Sequence, residues 1–279
     1  MSDLYAVFGN PIAHSQSPQI HAAFAEQCAQ SLRYTAILAP FDGLAGAIAG
    51  FIAAGGRGAN VTVPFKEEAY RLATRLSARA RIAGAVNTLT FNAGDIVGDN
   101  TDGEGLWRDL SRNLGLSLAG QRILLLGAGG AARGVVAPLL ERAPERLTIA
   151  NRTPAKAQRL AELFAAGGAV SGVAYADLAG QRFDLVINAT AASLAGELPP
   201  LPAGIFAADS LAYDMMYGRG ETPFLAFARQ NGAARGSDGL GMLVEQAAES
   251  FRLWRGVRPS TQELIARLRA AGTPTANGE

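Results

Sequence analysis

The chain has 279 residues, 49% of them hydrophobic, with 33 glycines, and its 25 Lys plus Arg against 24 Asp plus Glu leave a net charge of +1. That length suits about two domains with a sizeable core and excludes a disordered chain, while the near-neutral charge argues against a polyanion such as nucleic acid as the main partner. One cysteine, Cys28, excludes an internal disulfide, fits a reducing compartment and reads as a small packed side chain, not a nucleophile.

Short apolar runs alternate with helical patterns along the whole chain, the sign of an α/β architecture. Tyr5-Ala6-Val7-Phe8 predicts a strand, followed by a loop at Gly9-Asn10-Pro11. A helix is expected to start at Ser17-Pro18, with Ser17 as its cap and Pro in the first turn. Tyr34 to Leu38 predicts a second strand and Leu44 to Phe51 a helix. Ala59 to Val63 predicts a third strand, stopped by Pro64. Thr88 to Phe91 and Ile96 to Gly98 read as a hairpin around Asn92-Ala93-Gly94-Asp95.

A helix over Gly103 to Leu114 is expected next, and then the pattern changes. Arg122-Ile123-Leu124-Leu125-Leu126 is almost uninterrupted apolar sequence, as a parallel strand covered on both faces requires. Leu147 to Ala150, Leu185 to Ile187 and Ala207 to Leu211 repeat the theme. Helices over Leu240 to Trp254 and Thr261 to Arg269 are expected to return to the first domain, and Gly272 to Glu279 reads as frayed. The expected organisation is therefore a substrate-binding, catalytic domain over 1–102, a doubly wound dinucleotide-binding domain over 103–237, and C-terminal helices over 238–279. No window approaches the ~20 apolar residues of a membrane span, and Met1-Ser2-Asp3-Leu4 lacks the basic start of a signal peptide. A soluble, cytoplasmic protein is expected.

Gly127-Ala128-Gly129-Gly130-Ala131-Ala132 follows the Leu124 strand and opens a helix bearing Val135, Val136 and Leu139. This is a G-x-G-x-x-G/A turn with Ala132 in the third position. Gly127 allows the tight turn, Gly129 lets backbone approach a pyrophosphate, and Ala132 permits close helix–strand packing. A flexible loop also collects glycine, but the strand before and the helix after favour a dinucleotide. At the end of the next strand, where an acid normally bonds the ribose of NAD, stands Asn151-Arg152-Thr153. A neutral Asn151 removes repulsion toward a 2′-phosphate, Arg152 offers a fork of donors, Thr153 a hydroxyl, and Lys156 a further charge. NADP is expected, against the plainer reading of an exposed arginine beside a helix cap. Asn188-Ala189-Thr190 closes another strand, where polar residues either line a ligand crevice or simply end the strand.

In the first domain, Ser15 and Ser17 stand before a helix N-terminus, a favourable place for a carboxylate, although Ser17 can equally serve as a cap. Lys66 stands just beyond a strand end, as a solvated charge or a catalytic one. Asp102 is either a helix cap or a group beside the crevice.

These motifs together resemble the shikimate dehydrogenase family from end to end. The matching blocks are Val7-Phe8-Gly9-Asn10-Pro11-Ile12 with His14-Ser15-Gln16-Ser17-Pro18, Gly58 to Lys66, Gly84 to Thr88, Gly98 to Gly103, Gly127 to Ala131, Asn151 to Thr153, Tyr213 to Tyr217 and Asp238 to Leu243. The resemblance implies NADPH-dependent reduction of 3-dehydroshikimate to shikimate, or a quinate/shikimate dehydrogenase of broader specificity. It implies Lys66 and Asp102 as the catalytic pair. It assigns Ser15, Ser17 and Tyr217 to the substrate carboxylate, and Thr62, Asn87, Asp102 and Gln246 to the ring hydroxyls. Met215, Gly239 and Met242 are implied at the nicotinamide pocket, and Ala189 and Thr190 as further cofactor contacts. The chain departs from the family at Ala191, where a serine is common, and at Lys156, where some members carry arginine. A small-molecule enzyme is expected, monomeric or homodimeric, with no metal, nucleic acid or membrane partner. Gly236, Gly239 and Gly241 are candidate hinges or plain turns.

Overall fold

The computed structural model describes residues 2–92, 94–190, 198–218 and 220–272. Ala191 and the segment after Gly272 therefore lie outside the described residues. The chain divides into two compact units: the residues up to Gly105 together with Val244–Leu264, and Leu106–Leu243 together with the segment that begins at Ile265.

The first unit contains β1 (Asp3–Gly9), α1 (Ser17–Gln27), β2 (Leu32–Leu38), α2 (Leu44–Ala53), β3 (Gly56–Val61), α3 (Lys66–Leu72), β4 (Arg75–Leu76), α4 (Ala78–Ala83), β5 (Thr88–Asn92), β6 (Asp95–Asp99) and the start of α5 (Asp102–Arg108). Its sheet has the order β2-β1-β3-β5-β6-β4. β1 runs parallel to β2 and β3, whereas β5 pairs antiparallel with both β3 and β6. The parallel pairing brings Gly9, the end of β3 and the Thr62–Lys66 turn to the carboxyl end of the central strands. Gly9 is required there, because a Cβ would stand 2.5 Å from Thr62 Cγ2.

One sheet face packs Phe8, Leu44, Ile48, Val61, Phe65 and Leu89 into a core. The other carries Tyr5, Val7, Ile12 and Tyr34, with Trp254 against them. Trp254 stacks on Tyr5 with ring centroids 4.7 Å apart and donates from Nε1 to Leu89 O at 3.1 Å. Gly58 makes room for that indole, since a Cβ would lie 2.6 Å from its Nε1.

His21, on α1, is fully buried in this aromatic layer and lies parallel to Tyr34, 4.1 Å between centroids and 6° between planes. Burial lowers its pKa from 6.5 to about 3, and the nearby Asn60 side chain opposes that shift without making a well-formed bond to either ring nitrogen. The depressed value means that the unfolded chain takes up a proton below pH 6.5 that the folded chain refuses down to about pH 3. The contribution of His21 to stability is therefore complete above pH 6.5 and falls through that window, by about 1.4 kcal/mol per pH unit for one proton. Between pH 7 and pH 5, thermal melts of wild type and His21→Leu are expected to shift steadily in the variant's favour as the pH falls. Parallel curves would exclude His21 as the source.

The second unit contains β7 (Arg122–Leu126), α6 (Gly130–Leu140), β8 (Arg146–Ala150), α7 (Pro154–Phe164), β9 (Val170–Val173), β10 (Phe183–Asn188), β11 (Phe206–Asp214), α8 (Pro223–Gln230) and β12 (Arg235–Asp238). Two further helices, α9 (Leu240–Arg255) and α10 (Gln262–Gly272), are each divided between the units. The all-parallel sheet has the order β12-β11-β10-β7-β8-β9. Read from its other edge and counted within the unit this is 3-2-1-4-5-6, the doubly wound order, whose switch point lies between β7 and β10. β7 supplies Ile123 and Leu125 to one core and Leu124 and Leu126 to the other, which explains its unbroken apolar run. Among the described residues, no helix is long and apolar enough to cross a membrane.

Several helix ends differ from expectation by a few residues, and two of the differences matter for the side chains involved. Ser17 is not a cap: Gln16 holds the N-cap position without a side-chain bond, and Ser17 is the first helical residue. The helix expected over Gly103 to Leu114 begins at Asp102 and passes at Asp109–Asn113 into a π-helical turn. There the buried Asp109 carboxylate accepts from Tyr213 Oη at 2.7 Å and from Asn113 Nδ2 at 2.9 Å, contacts that hydrophobic periodicity does not encode.

Candidate active site

Lys66 is the first residue of α3 and Asp102 the first of α5. The Lys66 ammonium donates to Asp102 Oδ2 at 2.6 Å, with the two side chains only 16% and 6% exposed. Asp102 is thus spent on this pair and not on a cap. Its second oxygen accepts from Asn87 Nδ2 at 2.8 Å, and the Asn100 side chain receives its backbone N–H. Asn87 also donates to Gln246 Oε1 at 3.2 Å, so the residues at 66, 87, 102 and 246 meet in one cluster. Thr62 opens the turn before Lys66, tied by its N–H to Phe8 O at 2.9 Å.

The cluster is saturated by neighbours that sequence reasoning left without a role. Thr101 donates its N–H to Asn87 Oδ1 at 2.9 Å, and Thr88 Oγ1 donates to the same oxygen at 2.8 Å. Asn60 donates to Thr88 Oγ1 and Ser250 Oγ, and receives the Tyr34 hydroxyl at 2.7 Å. A polar Asn60 among the apolar residues of a buried strand was the available signal, since a buried amide needs partners.

α9, which carries Gln246 and Ser250, is tied to the first unit by an ionic network. Glu249 meets Arg79, Arg252 and Arg258, while Glu245 meets Arg258 and the Thr261 hydroxyl. Burial alone would push the Glu249 carboxyl up, but Arg252 and Arg79 outweigh it and hold it at about 2.

Ser15 and Ser17 are brought together at the start of α1, where the Ser17 N–H points to Ser15 Oγ at 3.3 Å. With an acceptor role toward that N–H, the Ser15 hydroxyl keeps its own proton for an incoming anion. α1 lacks a capping side chain, but Ser17 gives its N–H to Ser15, Pro18 has none and Ile20 bonds Gln16 O, so an anion here would rest chiefly on the two hydroxyls.

In the second unit the glycine turn stands at the switch point. Gly127 adopts φ +105°, a conformation that needs glycine, and packs against Ala189 O and Thr190 Cγ2, each 3.2 Å from where a Cβ would lie. Gly129 is the N-cap of α6, without a capping side chain, and open space faces the position of its absent Cβ. Gly130 and Ala131 form the first turn of α6, and Ala128 precedes it. Free N–H groups before an open cradle fit a dinucleotide pyrophosphate. Thr190 bonds back to Asn188 Oδ1, and Asn188 donates to the buried Asp214, fixing the ends of β10 and β11.

Asn151 donates to Thr153 O at 3.0 Å, which sets the turn after β8. Arg152, Thr153 and Lys156 lie along this turn and the start of α7, and neither cation makes an ion pair among the described residues. Two cations and a hydroxyl beside a neutral amide fit a phosphorylated ribose.

Met215 follows β11, and Gly239 and Met242 lie at the start of α9. A Cβ on Gly239 would stand 2.3 Å from Met215 O, and one on Gly241 2.0 Å from Asp109 Oδ1. Close packing is enough to account for these two glycines. Tyr217 is partly buried beyond the same strand, and burial pushes its phenol up.

Comparison with known proteins finds matches in both units. Residues 7–89 match a shikimate dehydrogenase substrate binding domain, residues 109–195 a shikimate / quinate 5-dehydrogenase domain, and residues 239–269 a shikimate 5′-dehydrogenase C-terminal domain. The chain is 68% identical to the shikimate dehydrogenase (NADP(+)) of Dechloromonas aromatica, over 97% of this chain and 98% of that one. It is 65% identical to the same-named protein of Nitrosospira multiformis, over 98% and 100% of the two chains. Among solved structures, the shikimate 5-dehydrogenase of Thermus thermophilus in complex with NADP(H) and shikimate superposes with a TM-score of 0.84 at 35% identity, over 96% of this chain and 99% of that one.

Proposed function

The chain belongs to the shikimate dehydrogenase family, and from that premise we propose that it reduces 3-dehydroshikimate reversibly to shikimate with NADPH, through the Lys66–Asp102 pair. The observation that carries the reading is the 2.6 Å contact between Lys66 Nζ and Asp102 Oδ2, inside a cluster of hydroxyl-binding groups. We further propose residues 1–102 as the substrate part, 103–237 as the NADP part, and 238–279 as the completing helices.

Reduction of a ketone builds negative charge on its oxygen, so a proton donor must stand within hydrogen-bond reach. The bound nicotinamide supplies the hydride. Lys66 supplies the proton in that direction and receives it from the hydroxyl in the other. Asp102 orients the ammonium through Oδ2, and Asn87 prevents the carboxylate from rotating away by holding Oδ1. Thr62, Asn87 and Gln246 take the ring hydroxyls, whose arrival replaces the Asn87–Gln246 bond with bonds to ligand. Ser15 and Ser17 bind the carboxylate, with Tyr217 as a further ligand.

Gly127 to Ala131 hold the pyrophosphate. Asn151, Arg152, Thr153 and Lys156 receive the 2′-phosphorylated ribose, and Ala189, Thr190, Met215, Gly239 and Met242 complete the cofactor contacts. The enzyme would act in the cytoplasm, as a monomer or homodimer. Purified protein should generate NADPH absorbance from shikimate and NADP. Faster turnover of quinate, or a preference for NAD, would instead favour the broader quinate/shikimate activity.

A further inference from the structure

We propose that Tyr34, Asn60 and Thr88 form a directional hydrogen-bond relay that sets the orientation of the Asn87 amide and, through it, positions the Asp102 carboxylate and the Lys66 ammonium. The inference rests on the function proposed above and adds three positioning residues, each acting through Asn87 and not on the substrate itself.

The direction of each bond follows from what its partners are able to do. Asn87 O is a backbone carbonyl and only accepts, so the Asn60 atom 3.1 Å from it is Nδ2. Asn60 Oδ1 then faces the Tyr34 hydroxyl at 2.7 Å, and the phenol must donate. Asn60 Nδ2 also reaches Thr88 Oγ1 at 3.2 Å and Ser250 Oγ at 3.0 Å. Thr88 Oγ1 lies 2.8 Å from both Asn87 Oδ1 and Ser250 Oγ; Asn87 Oδ1 only accepts, so in that contact the Thr88 hydroxyl donates, while the Ser250 hydroxyl is able to donate back to Thr88. The Thr101 N–H also points at Asn87 Oδ1. Asn87 Nδ2 is thereby turned toward Asp102 Oδ1. The opposite amide orientation would set a carbonyl against a carboxylate and an NH2 group against the Thr101 N–H.

The relay lies in a buried part of the first unit. Asn60, Asn87, Thr88, Thr101 and Asp102 are all buried, and Ser250 is fully so. Burial pushes the Tyr34 phenol well above its usual range, with the Ser17 hydroxyl beside it opposing, so the donor keeps its proton at working pH. The stacked His21 ring fixes the plane of Tyr34. The polar path thus runs from the vicinity of Ser17, a proposed carboxylate ligand, to the ammonium of Lys66. In low-dielectric surroundings such connected bonds reinforce one another.

The test compares Thr88→Val, Thr88→Ser and Tyr34→Phe with wild type in shikimate oxidation, using the full chain. Thr88→Val keeps the shape and removes the donor, and should lower kcat about tenfold with KM for NADP unchanged. Thr88→Ser returns the hydroxyl and should recover most of that loss, which a purely packing role would not do. Thr88→Val within about twofold of wild type, or Thr88→Ser as slow as Thr88→Val, overturns the relay. Should Thr88→Val lose cooperative unfolding, Tyr34→Phe decides: a kcat about threefold lower supports the relay, and an unchanged one overturns it. A wild-type chain inactive on shikimate sinks the function itself, whereas an active wild type with indifferent variants sinks the relay alone.

Discussion

Lys66→Ala is expected to lower kcat for shikimate oxidation by ~10² or more, with a smaller effect on KM. The substitution removes the group proposed to carry the proton and leaves Asp102 Oδ2 without its 2.6 Å partner. The serines proposed to bind the carboxylate, the turn at Thr62 and the unit proposed to bind the cofactor remain, so ligands should still raise the melting temperature. Lys66→Arg is the informative companion. It restores a positive charge beside Asp102, but a guanidinium does not release its proton at working pH. It should remain slow if proton transfer is the task, and recover if charge alone suffices. An unchanged kcat in Lys66→Ala would remove this residue from the mechanism.

Arg152→Ala is expected to raise KM for NADP about tenfold to a hundredfold and to leave kcat near the wild-type value. A hydrogen bond between charged partners contributes about 1.5–3 kcal/mol, which is that range of affinity. The effect should be much larger with the phosphorylated cofactor, because NAD lacks the charged 2′-phosphate for the guanidinium to hold. Steady-state measurements with both cofactors provide the check. Equal losses with NADP and NAD would mean that Arg152 shapes the turn and does not read the phosphate. Arg152 makes no ion pair among the described residues, so its removal leaves no buried carboxylate stranded.

The parts of the fold that were legible in the sequence are those where one local rule decides. Alternation of polar and apolar residues is absent from Arg122 to Leu126 because both sheet faces are covered, and that unbroken run announced the central parallel strand. The glycine turn was legible because its strand, its Gly127 conformation and its helix are neighbours in the chain. Lys66 and Asp102 by themselves were ambiguous, a strand-end lysine and a possible helix cap. Only the resemblance paired them, and their contact joins residues 36 apart in sequence. Asn60, Thr88 and Ser250 were harder still, since an amide and two hydroxyls acquire meaning only from the partners that burial gives them. The π-helical turn at Asp109 was invisible for the same reason: Tyr213, its partner, lies 104 residues away.

The first unit is assembled from two stretches of chain, one up to Gly105 and one over Val244–Leu264. Asn60 therefore finds Ser250 across 190 residues. During synthesis, β1 to β6 leave the ribosome long before the segment bearing Gln246, Ser250 and Trp254 has been translated. The unit that begins first must wait for a segment that follows the main stretch of the second, and until then the aromatic face that receives Trp254 lies uncovered. A premature stop before Val244 would yield a nascent domain with an open aromatic face, a natural target for chaperones and proteases.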